Sequence, residues 1–137
     1  MTDRVLVAYT SKTAATNDIA EIIGSELAGC GLRVTVLPVA AAETLLGFGA
    51  VILGDAAARD AHRFVRRHRV PLGHTPIWLF HRGSPPVPGD VARMVRRLGA
   101  GGAVSFGGAA PDGDRARAWA RYLADRLTML HRGFVSN

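Results

Sequence analysis

The feature that most constrains this chain is a repeated change of period. Short β-branched apolar runs alternate with stretches whose apolar residues recur every three or four positions. The runs are residues 5–9 (VLVAY), 32–37 (LRVTVL), 50–54 (AVILG), 76–80 (PIWLF) and 103–106 (AVSF). Several of them lack polar alternation, which predicts strands buried on both faces, as in a parallel sheet.

The intervening segments read as helices. Ile19, Ile22, Ile23 and Leu27 predict a helix from Asn17, with Asp18 and Glu21 as a capping box and Gly29 and Gly31 as its stop. Residues 43–46 read as a small helical or irregular stretch. Ala61, Phe64 and Val65 predict an amphipathic helix over 57–68, with Arg59, Arg63, Arg66 and Arg67 facing largely outward. Pro88 suits the first turn of a helix that buries Val91, Val95 and Leu98. Asp112 or Asp114 caps a last helix with Ala116, Trp119, Leu123, Leu127 and Leu130 inward.

Five strands alternating with four helices predict a three-layer, doubly wound α/β fold around a five-stranded parallel sheet. Residues 1–137 read as a single domain, with a short tail from about residue 131. Composition excludes other classes: 48% hydrophobic residues, 20% charged residues and one cysteine rule out a disordered tail and a disulfide scaffold. Cys30, between two glycines, reads as a surface thiol. No apolar run approaches the roughly 18 residues of a membrane span, and residues 1–9 lack a signal-peptide pattern, so a cytoplasmic chain is expected.

In doubly wound sheets, ligands sit beyond the carboxyl ends of the strands. Three loops qualify: 10–16, 55–59 and 81–86. In the first, Ser11, Thr13 and Thr16 offer hydroxyls beside a helix amino terminus, where free amides and the helix dipole favour a phosphate. The competing reading is local capping by Thr16 or Asn17. Neither GxxxxGK[ST] nor GxGxxG occurs.

The opening VLVAYTSKTAATNDIAEII resembles the strand, S-x-[TY]-G-x-T phosphate loop and helix of flavodoxin-like proteins, particularly short flavodoxin-domain proteins related to menaquinone-dependent protoporphyrinogen oxidase. AVILGDA resembles the family's third strand entering a flavin-side loop, and WARYLADRL its final helix. The resemblance covers almost the whole chain. It implies strand order 2-1-3-4-5 and noncovalent FMN used in electron transfer. The phosphate loop would be Ser11, Lys12, Thr13, Ala14, Ala15 and Thr16; Asp55 and Ala56 of the second loop and His81, Arg82 and Gly83 of the third would border the ring.

Three departures stand out. Ala14 replaces the usual glycine, the second loop GDAAARD lacks the aromatic that relatives stack on the flavin, and the insertion after the fourth strand is absent or shortened to RGSPPVPG. The short loop suits a small flavoprotein or a cofactor-free relative better than an enzyme that must cover a large hydrophobic substrate. Asp55 also reads as a cap for the helix that follows it.

The expected function is therefore an FMN-binding electron-transfer protein or small oxidoreductase, as a monomer or homodimer. The alternative is a flavin-free anion-binding or protein-interaction module. Basic residues outnumber acidic ones 17 to 11, for a net charge of +6, which favours an acidic redox partner. Nucleic acid ranks lower, because no aromatics interleave with the arginines of RDAHRFVRRHR. His62, His68 and His74 have arginine neighbours and no Cys or carboxylate cluster, so no metal site is expected.

Overall fold

A computed structural model describes residues 4–10, 14–55, 59–82, 88–106 and 112–135. Five strands, β1 (Arg4–Tyr9), β2 (Arg33–Pro38), β3 (Ala50–Gly54), β4 (Ile77–Arg82) and β5 (Ala103–Phe106), form one sheet in the order β2-β1-β3-β4-β5. Every neighbouring pair is parallel. This is the doubly wound order the resemblance implies. The helices are α1 (Ala14–Gly29), α2 (Arg59–Arg67), the short α3 (Arg69–Leu72), α4 (Pro88–Leu98) and α5 (Asp112–Val135). A single 3-10 turn, Val39–Ala41, follows β2.

Each central strand divides its side chains between two cores. In β1, Val5 and Val7 join Ile19, Ile23 and Leu27 of α1 and Leu123 of α5 on one face of the sheet. Leu6 and Ala8 point to the other face, with Phe64 of α2 and Leu72 of α3. β3 and β4 repeat the division: Ile52, Trp78 and Phe80 lie on the α1–α5 side, and Val51, Leu53, Ile77 and Leu79 on the other. Such strands must be apolar at consecutive positions, which is why they show no alternation.

Tertiary structure corrects several local expectations. α1 is already helical at Ala14, so Asp18 and Glu21 lie inside it and form no amino-terminal capping box, and Thr16 and Asn17 are helical residues, not caps. The 3-10 turn precedes the 43–46 stretch, which is irregular. α3 was not anticipated; it carries Pro71 within its single turn, where too few residues exist for proline to break an internal hydrogen bond. Asp114 lies inside α5 and pairs with Arg117 at 3.0 Å. α5 continues to Val135, beyond the point near residue 131 where a tail is expected. Cys30 is exposed, as read.

An aromatic cluster supports the carboxyl ends of β4 and β5. Phe80, Phe106 and Trp119 lie with ring centroids 6.0–6.3 Å apart in tilted or edge-on contacts. Gly54 is required beside it, because a Cβ there would come within 2.5 Å of the Phe80 ring.

Candidate functional site

The winding direction reverses between β1 and β3, and doubly wound folds bind their ligands beyond the strand ends at such a point. Register determines what meets there. Ala8 pairs with Leu53, and Leu53 with Leu79. Extending that register by two residues sets Thr10, just past β1, Asp55, just past β3, and His81, within β4, in one row.

Each member of the row is held differently. Thr10 is 2% exposed, and its Oγ1 donates to Oδ2 of Asp60 in the first turn of α2, at 3.4 Å. The Asp55 amide donates to the Phe80 carbonyl at 2.8 Å, continuing the β3–β4 ladder one residue past the strand. Asp55 then turns into the left-handed region, φ 51°, the only non-glycine described residue to do so. α2 is described from Arg59, so Asp55 stands four residues before its first residue and not at the N-cap position next to it. Asp is among the few residues that tolerate left-handed geometry.

His81 is 4% exposed, and its Nε2 is buried with no hydrogen-bond partner among the described residues. Burial holds the imidazole pKa below its ordinary value, and the Asp55 carboxylate offsets part of that fall. The ring is thus neutral at pH 7, with one polar atom unmatched. Such atoms cost stability and concentrate at functional sites.

Of the residues singled out in the sequence, Asp55, just past β3, and His81, which lies within β4 and not in the loop after it, are brought together. Ala14, Ala15 and Thr16 form the start of α1, at whose amino terminus backbone amides are unpaired within the helix. Arg82 ends β4. Ser11, Lys12, Thr13, Ala56 and Gly83 lie outside the described residues. Thr10 and Asp60 belong to the same strand-end region and were missed as site residues. Thr10 directly follows a buried strand and Asp60 opens a helix, but only the fold reveals their contact.

His68 is 5% exposed, and its Nε2 donates to the Ala42 carbonyl at 3.1 Å, a structural role. Among the described residues, no group of three or more His, Cys, Asp or Glu is gathered as a metal site. No described helix is long and apolar enough to cross a membrane.

No protein-family model and no curated protein matches the sequence. Solved structures do match. A flavodoxin from the domain Archaea is 17% identical with TM-score 0.72, covering 91% of this chain and 99% of its own. Flavodoxin 2 from Bacillus cereus, in its oxidised form, is 21% identical with TM-score 0.71, covering 90% of this chain and 99% of its own. The rubredoxin oxygen:oxidoreductase of Desulfovibrio gigas is 16% identical with TM-score 0.75, over 93% of this chain but only 37% of its own. These likenesses do not single out the protoporphyrinogen oxidase branch. At such identities they speak to architecture, and they agree with strand order and winding: the chain has the flavodoxin-like fold.

Proposed function

We propose that this chain binds FMN at the β1/β3 switch point and serves as an electron-transfer protein or small oxidoreductase. The observation that carries the reading is the row of Thr10, Asp55 and His81, in which the buried Nε2 of His81 lacks a partner among the described residues. A polar ligand reaching the strand ends supplies the hydrogen-bonding partner, donor or acceptor according to the tautomer, that this imidazole needs. Bound there, FMN contributes one- or two-electron transfer.

The chain's own residues divide the remaining work. Ser11, Lys12, Thr13, Ala14, Ala15 and Thr16 hold the phosphate with hydroxyls, the ammonium and the amides that open α1. Asp55, Ala56, His81, Arg82 and Gly83 border the ring. Arg82 offsets negative charge gained on reduction, while Asp55 opposes it, so the balance of these two sets how readily the ring accepts electrons. The net charge of +6 favours an acidic redox protein as the partner.

The test is gentle purification followed by a visible absorption spectrum and dithionite titration. A yellow protein that bleaches on reduction and recovers in air supports the reading. A colourless protein that takes up no FMN after refolding favours a flavin-free anion-binding or protein-interaction module. The specific observation behind that second reading is the exposed arginine face of α2.

A further inference from the structure

A concavity of about 320 Å³ lies between the 3-10 turn and α2, lined by Val39, Ala40, Asp60, Arg63, Phe64 and Arg67. From its geometry we infer that this cleft is a second ligand site, beside the proposed flavin site and joined to it through the Asp60–Thr10 contact, and that it takes a small phosphorylated sugar or nucleoside.

The cleft is built by ties at both ends. At one, Asp60 of α2 meets Thr10 at the end of β1, 3.4 Å apart. At the other, His68, just past α2, donates to the Ala42 carbonyl at 3.1 Å, and its ring packs on Phe64 with centroids 4.8 Å apart. The two walls are therefore fixed before any ligand arrives, which lowers the cost of binding.

Charge points to the ligand. Arg59, Arg63 and Arg67 stand four residues apart along one side of α2, and like charges at that spacing repel. Arg63 and Arg67 are exposed and make no ion pair with a described residue; Glu43, close in sequence to Ala42, is within ion-pair distance of neither. A phosphate between the two guanidiniums relieves the repulsion and accepts from both forks. Asp60 disfavours bare phosphate, but its carboxylate accepts a hydroxyl from the same ligand. Val39, Ala40 and Phe64 supply an apolar floor for the carbon face of a sugar or a base. A cleft of this volume accommodates a small molecule.

The test follows ribose 5-phosphate, AMP, adenosine and inorganic phosphate by NMR titration of the full chain at low salt. We expect saturable shifts at Arg63, Arg67 and Phe64 with at least one of the two phosphorylated sugars. Ribose 5-phosphate alone would identify a sugar-phosphate site and AMP alone a nucleotide site. The paired substitutions Arg63→Gln and Arg67→Gln should weaken binding by about tenfold or more. Arg66→Gln removes an equal charge from α2 outside the cleft and should change affinity by less than about twofold. Thr16→Ala, aimed at the FMN phosphate, should leave this binding intact, so failure here is separable from failure of the flavin reading. Absence of shifts with either sugar phosphate at about 1 mM overturns the inference. So do equal binding of inorganic phosphate and an equal effect of Arg66→Gln.

Discussion

The amide of Asp55 donates to the carbonyl of Phe80 at 2.8 Å, and Asp55 itself then turns left-handed at φ 51°. This single residue carries the β3–β4 hydrogen bonding one step past the end of β3. It also sets a carboxylate close enough to His81 to raise that imidazole against the effect of burial.

Two substitutions at Asp55 separate backbone from charge. Asp55→Val puts a β-branched residue in left-handed geometry and should cost roughly 1–2 kcal/mol, measured by urea unfolding. Asp55→Asn tolerates the turn and keeps most of the stability, but removes the charge. The His81 pKa should then fall further, as read by NMR titration of the ring. An unchanged His81 pKa would refute their coupling.

His81 makes stability depend on pH in a defined direction. Its folded pKa lies below the ordinary value, so on acidification the unfolded chain takes up a proton that the folded chain resists. Stability is therefore lost as pH falls from about 6.5 toward the folded pKa, and changes little above that window. His81→Leu removes both the titration and the unmatched Nε2. The variant should be at least as stable as the parent at pH 7 and lose less stability between pH 7 and 5.

Gly54→Ala should destabilise by about 1–3 kcal/mol, because the added methyl meets the Phe80 ring in a packed cluster. Thermal unfolding measures the loss. Combining it with Phe80→Leu, which opens space at that contact, should yield less than the sum of the two single costs.

His68→Phe keeps the aromatic packing on Phe64 but leaves the Ala42 carbonyl without its donor. A cost of about 1–3 kcal/mol is expected by denaturant unfolding. A cost near zero would mean that the bond does not tie the 3-10 turn to α2.

The strands and their burial were legible because consecutive apolar residues such as Val5, Leu6 and Val7 have no other place than a sheet covered on both faces. The inward stripe of α2 was equally plain in Ala61 and Phe64, both buried. Helix starts were not. Asp18 and Glu21 have the chemistry of a capping box, yet α1 begins at Ala14, where Ala14 and Ala15 are strong helix formers, and the pair falls inside it. At the site, Asp55 was legible from its position after a strand and His81 from its position near the end of one, but their shared row is not. Register belongs to pairs of strands, so neither the 3.4 Å contact of Thr10 with Asp60 nor the lone Nε2 of His81 can be read from local pattern. The tied walls of the cleft between the 3-10 turn and α2 are likewise made by residues far apart in the chain.

The central claim is that FMN binds with its phosphate at the start of α1. Fluorescence-quenching titration of the apo-protein with FMN, repeated on Thr16→Ala, tests it most directly. Saturable binding tighter than about 10 μM, near −7 kcal/mol, is expected, weakened by about tenfold in the variant. Equal affinity in both proteins, or no quenching at tens of micromolar FMN, would contradict it.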